Sequence, residues 1–157
     1  MMRTAWILLT VFILTACQNK PMIRENISIY AIRSKPGDDL KIAIDKLVKE
    51  KNIKAGWVTT CAGSLTDYMI RFANQPAGSS GSRHFEIVSL TGTLCINGSH
   101  LHISVSDSTG KTIGGHLMPG CKVYTTVEII LQSTDKYGFT REKDGTTEWE
   151  ELQIKDK

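Results

Sequence analysis

Residues 99–117 read SHLHISVSDSTGKTIGGHL. From Leu101 to Ser106 apolar and small polar residues alternate, the two-residue period of a strand with one buried face. Ser108-Thr109-Gly110 is a turn signal, and Thr112 to Leu117 is a second strand that runs back beside the first. On such a hairpin His100 and His102 project from one face, two residues' rise apart, while Leu101 points into the core. His116 lies fourteen residues after His102, so the returning strand brings it close to the pair.

Outward from this hairpin the β pattern continues in both directions. Gly56 to Ala62, Tyr68 to Ala73, Phe85 to Leu94 and Val123 to Leu131 read as strands, with Phe139 to Glu142 or Trp149 to Ile154 as a further one. Asn97-Gly98 and Pro119-Gly120 supply turns between them. Asn74 to Ser82, NQPAGSSGS, is the one low-complexity stretch and is expected to be a mobile loop. Ahead of this run, Ile27 to Arg33, ISIYAIR, is a strand rich in β-branched and aromatic residues. Pro36-Gly37-Asp38-Asp39 then opens one helix, with Leu40, Ile44, Leu47 and Val48 on one face. Asp38 and Asp39 are expected in its first turn, and Lys49 and Lys51 near its end, so that charge complements the dipole at both ends. The fold class that follows is α+β: a single, mostly antiparallel sheet with one main helix packed on it.

The chain has 157 residues, enough for one core and too few for two domains of usual size. Nineteen basic and sixteen acidic residues give a formal charge of +3. Because both signs are interleaved along the body, the charge leaves no footprint for nucleic acid. The N-terminus has another character. Arg3-Thr4, the apolar run Ala5 to Leu14, and Thr15-Ala16-Cys17 follow the charged, apolar and small-residue order of a secretory signal. That run is too short for a transmembrane helix. Leu14-Thr-Ala-Cys17 resembles a bacterial lipobox, whose cysteine carries diacylglycerol. The expected organisation is therefore a lipoprotein signal peptide at 1–16, a tether at 17–26 beginning with the lipid-bearing Cys17, and a folded domain at 27–157. Gln18 after the cysteine resembles the sorting signal of outer-membrane lipoproteins facing the periplasm. A start at Met22 is the alternative and would give a cytoplasmic protein. Cys61, Cys95 and Cys121 form no Cys-x-x-Cys pair; one disulfide among them is open, and a buried apolar role is expected for at least two.

Three converging imidazoles suit a metal. Zinc accepts three histidines and keeps a fourth position for water, the arrangement of hydrolytic and hydrating sites. Nickel, cobalt and copper suit the same ligands, so zinc is expected on availability. Glu86, Asp107 and Glu128 are candidate carboxylates for orienting the histidines or accepting a proton, and Ser64, Arg33 and Arg71 are candidates for lining a ligand cleft. His84, next to Arg83 at the margin of the loop, is expected at the surface. Gly78-Ser-Ser-Gly81 lacks the following lysine and helix of a phosphate loop, and no Gly-x-Ser-x-Gly elbow occurs.

Several motifs occur in a fixed order: Arg33-Ser-Lys-Pro-Gly-Asp-Asp-Leu40, Gly63-Ser-Leu65, Phe85-Glu-Ile-Val-Ser-Leu-Thr-Gly-Thr-Leu94, His100-Leu-His-Ile-Ser104, Gly114-Gly-His-Leu117 and Thr126-Val-Glu-Ile129. In this order, over nearly all of Ile27 to Ile154, the chain resembles the plant and prokaryote conserved domain, abbreviated PPC or PCC. The resemblance implies an antiparallel-rich α/β fold, a homotrimer and, in prokaryotic members, a metal on the histidines matching His100, His102 and His116. In plants the domain accompanies an AT-hook, a short basic segment that grips the minor groove. This sequence has no such segment, so the DNA-binding description attached to many prokaryotic relatives does not transfer on physical grounds. Two functions follow as expectations. One is a metal-binding lipoprotein that binds a small anionic ligand or hydrolyses it with the metal's assistance. The other is a non-enzymatic interaction or DNA-binding module.

Overall fold

The computed structural model describes residues 26–157; the signal peptide, Cys17, Met22 and all but the last residue of the tether lie outside them. Eight strands and one helix follow in chain order: β1 (Ile27–Ser34), α1 (Leu40–Glu50), β2 (Gly56–Arg71), β3 (Ser79–Cys95), β4 (Gly98–Ser106), β5 (Thr112–Leu117), β6 (Lys122–Thr134), β7 (Tyr137–Glu142) and β8 (Glu151–Asp156). The main sheet is antiparallel throughout, in the order β1-β6-β2-β3-β4-β5. At one end β5 also reaches β2, where Ile70 faces Leu117 and Arg71 faces His116. Strands β2 to β5 thus close on themselves at the end that carries the histidines.

Helix α1 covers the sheet with Leu40, Ile44 and Val48, all buried. Their partners are Leu65, Leu101, Val123, Val127, Ile129 and Leu131 in one continuous core. Burying each such side chain contributes roughly 1.5–3 kcal/mol relative to leaving it in water. Asp39 is the helix N-cap and Asp38 precedes it, so neither of the two acids expected in the first turn lies there. Its carboxylate accepts from the backbone N–H of Ile42 at 3.2 Å and of Gly120 at 2.7 Å, and Lys122 Nζ lies 3.7 Å away. The cap therefore fastens the helix start to the β5–β6 turn as well as satisfying its own first turn.

Three expectations need correction. Gly56 to Ala62 and Tyr68 to Arg71 are parts of one sixteen-residue strand, β2, and Phe72 and Ala73 lie past its end. The interval left between those two readings belongs to the strand, and at Gly63-Ser64 a bulge shifts the register against β6 without ending it. The supposed mobile stretch 74–82 is half strand: Ser79 to Ser82 pair with Asp67 to Ile70. Small residues there signal close packing, since a Cβ on Gly81 would sit 2.5 Å from the Tyr68 ring. Finally, the two alternative C-terminal strands both exist and pair with each other, Phe139 opposite Ile154, as a separate two-stranded sheet.

Cys95 and Cys121 are buried and Cys61 is half-buried, and all three are free. Burial pushes the thiols of Cys61 and Cys121 up to about 12 and about 11, so both stay protonated and unreactive.

Gly92 is where the sheet is least tolerant. It faces Leu101 across β3 and β4 with φ 142°, and a Cβ there would lie 1.9 Å from the carbonyl oxygen of His100. Gly92→Ala is expected to cost about 1–3 kcal/mol through backbone displacement, read as a lower urea midpoint at unchanged m-value. A midpoint equal to that of the parent would show that β3 and β4 are not locked at this point.

Candidate metal centre

The alternation of β4 decides which way its side chains face. Leu101 and Ile103 are buried, and His100 and His102 stand on the opposite, exposed face. Ser108-Thr109-Gly110 turns the chain as expected, and Asp107 makes that turn. Its carboxylate accepts from the N–H and hydroxyl of Thr109, at 2.8 and 2.6 Å, and from the N–H of Lys111 at 3.2 Å. The resulting register sets His116 directly opposite His102. One nitrogen from each of the three rings lies within 4.8 Å of the others. The Nε2 atoms of His100 and His102 are 3.1 Å apart, and His116 stands 5.1 and 5.8 Å from their rings, centroid to centroid.

This donor set fits a divalent cation. Two imidazole nitrogens at about 2.0–2.1 Å from a tetrahedral ion are roughly 3.3 Å apart, close to the separation found for His100 and His102. Burial, then the neighbouring His100 and Arg71, pushes His116 down to about 4. His100 is lowered in turn by burial, by His102 and by Arg141, with Glu151 opposing. Both rings are thus neutral at pH 7, the form that ligates. The Nδ1 of His116 is buried with no hydrogen-bond partner among the described residues, and buried polar atoms of this kind are costly unless something fills the need.

The histidines open onto a cavity of about 620 Å³. His100 and His116 form one side, with Arg71, Ser99 and Met118. The β7–β8 hairpin forms the other with Arg141, Trp149 and Glu151. The guanidinium of Arg71 lies over the indole of Trp149 at 4.4 Å.

Of the residues singled out by sequence, Arg71 is the one brought to the triad. Glu86 is exposed on β3 opposite Ser64 and Ser106, and Asp107 is spent on its turn. Arg33 and Glu128 face each other across β1 and β6; Arg33 donates to Thr126 Oγ1 at 3.1 Å. Ser64 is buried and shares a 2.8 Å hydrogen bond with Thr125. His84 is exposed and stacks on Tyr124, ring centroids 4.0 Å apart. Arg141, Trp149 and Glu151 were not singled out. They reach the triad from the far end of the chain, and spacing carries no signal for that return.

Depressed histidines tie stability to pH. An unfolded imidazole titrates near its ordinary 6.5 and His116 near 4, so between these values the unfolded chain binds more protons and stability rises with pH. The contribution of neutral His116 is complete above about 6.5 and lost as pH falls to about 4. In chelator-treated protein the urea midpoint should therefore fall across this window more steeply than in His116→Asn. Parallel profiles for the two would contradict the placement of His116.

Comparison with known proteins identifies the family and the fold. Residues 23–135 match the family described as the Plants and Prokaryotes Conserved (PCC) domain. The chain is 42% identical over 135 residues to a Bifunctional protein GlmU of Synechococcus sp. (strain JA-2-3B'a(2-13)), covering 86% of this chain and 21% of that protein. It thus spans about a fifth of the curated relatives it matches. Among solved structures, a hypothetical protein of Salmonella cholerae-suis superposes with a TM-score of 0.81 at 38% identity, over 84% of this chain and 96% of that one. A metal-containing protein of Archaeoglobus fulgidus shares the fold at TM-score 0.69 and 22% identity, over 80% and 93%. A candidate DNA-binding protein of Bacteroides thetaiotaomicron does so at 0.66 and 19%, over 84% and 97%. With the family match spanning more than half of its length, and the ordered motifs from Arg33 to Ile129 on the sheet just described, the chain belongs to the Plants and Prokaryotes Conserved domain family.

Proposed function

We propose that this protein holds a divalent cation, zinc by preference, on His100, His102 and His116, and uses it to bind or hydrolyse a small ligand in the adjoining cavity. The convergence of three imidazoles, two of them on the wall of a 620 Å³ space, carries the reading. A bound cation of this kind supplies Lewis acidity toward a carbonyl or phosphoryl oxygen. The chain's own residues do the rest. Arg71 and Arg141 offer N–H groups to a ligand's negative charge, Trp149 and Met118 offer apolar surface, and Glu151 is the carboxylate whose charge reaches His100. Glu151 thereby takes the proton-accepting role in place of Glu86, Asp107 and Glu128, none of which lines the cavity. The metal-containing relative from Archaeoglobus supports the same assignment.

The wider setting belongs to this proposal too. Association of copies into a homotrimer is supported by the exposed apolar side chains of β1, Ile27 at 49% and Ile29 at 66% exposure, on the outer strand of the sheet. A lipid on Cys17 would hold that trimer at a membrane outside the cytoplasm. A second reading, a DNA-binding module, is favoured by the solved relative described as a candidate of that kind.

Elemental analysis of purified protein decides between them. One equivalent of metal per chain is expected, with affinity at least about a hundredfold lower in His102→Ala, since even residues that merely orient a ligand are worth 10–100-fold. Hydrolysis of esters, phosphates or lactones that survives His102→Ala would remove the catalytic part. For DNA, affinity that falls steeply with salt would support the second reading, and no binding at low salt would end it.

A further inference from the structure

Two arginines bracket the triad. Arg71 is the cross-strand partner of His116. Arg141 reaches the other side, where its Nη2 donates to the hydroxyl of Thr93, the cross-strand partner of His100. Asn97 pins Arg141 further by bonding both its backbone N–H and its carbonyl, at 3.3 Å each. Such bracing fixes a guanidinium in one place, and Arg141 Nε is nonetheless buried without a partner. Neither arginine has a carboxylate within ion-pair distance among the described residues. Arg71 lays its flat face on Trp149, which leaves the N–H edge of its guanidinium free for an oxyanion.

Two unpaired cations beside a cation site make little electrostatic sense unless an anion joins them. We infer that the cavity between the triad and the β7–β8 hairpin takes a small monocarboxylate with an apolar body, its carboxylate held between Arg71 and Arg141 and its body against Trp149 and Met118. The inference rests on the reading of this cavity as a ligand site. The rest of the lining favours a single charge on the ligand, because Glu148, Glu150 and Glu151 also border the cavity and would repel a second or third negative charge. An apolar body is specified by Trp149, a residue 55% exposed that lines the cavity and gains by being covered. Bidentate pairing of a planar carboxylate with a guanidinium adds direction to the charge.

The test titrates the full chain with hexanoate and benzoate, following heat and tryptophan emission, in zinc-loaded and chelator-treated protein. Succinate and inorganic phosphate serve as competitors. Saturable binding is expected, weakened at least tenfold by Arg71→Gln and by Arg141→Lys, with the emission change lost in Trp149→Phe. If Arg141→Lys melts early, Arg71→Gln alone decides. Carboxylate binding that persists after chelation upholds the inference even if no metal is ever found at the histidines. Stoichiometric zinc with no carboxylate binding overturns it and leaves the metal centre standing. Binding indifferent to both arginine substitutions, or phosphate or succinate bound more tightly than the monocarboxylates, also overturns it.

Discussion

The register between β4 and β5 is the constraint on which the rest depends. His102 stands opposite His116 because the Asp107 turn fixes the pairing at Ser106 and Thr112. A slip of one residue would send His116 to the other face and bring a glycine in its place. The hydrophobic pattern guards against the slip, since Leu117 would then leave the core for water while Leu101, Ile103 and Val105 hold β4 in place. Fold and site are thus held by one set of interactions: the apolar residues that cannot move outward keep the imidazoles from moving inward.

That coupling explains why so much of the site was legible. Alternation in residues 101–106, a turn signal and a returning histidine are local facts, and local facts survive folding. The helix face of Leu40, Ile44 and Val48 was legible for the same reason. Non-local features were not. Bulges between Gly63 and Asp67 interrupt the alternation, so one long strand reads as two. Residues 79–82 look like a flexible linker, yet their smallness serves the ring of Tyr68. Arg141 and Trp149 are met only by a hairpin whose return path depends on contacts with Lys54 and Asn97, residues far away in sequence.

Electrostatics around the triad run against the habit of metal sites, which surround a cation with acids. Here two guanidiniums, Arg71 and Arg141, border the cavity beside the triad, and the acid whose charge reaches His100 is Glu151 of the hairpin. Burial first, and the neighbouring charges after it, keep His100 and His116 deprotonated. Proton release therefore costs little when a ligand for the imidazoles arrives, and the site is ready at neutral pH without rearrangement.

The β7–β8 hairpin begins just beyond the stretch that matches the family, which ends at residue 135, and it forms a sheet of its own. No ladder hydrogen bond of the main sheet passes through it. Ligation and discrimination are consequently written in different parts of the polypeptide: the histidines belong to the rigid frame, and one wall of their cavity belongs to an appendage. A change of length or charge between Arg141 and Glu151 can redirect which molecules are admitted while the frame keeps its shape. The architecture separates what the protein can grip from what it is allowed to grip.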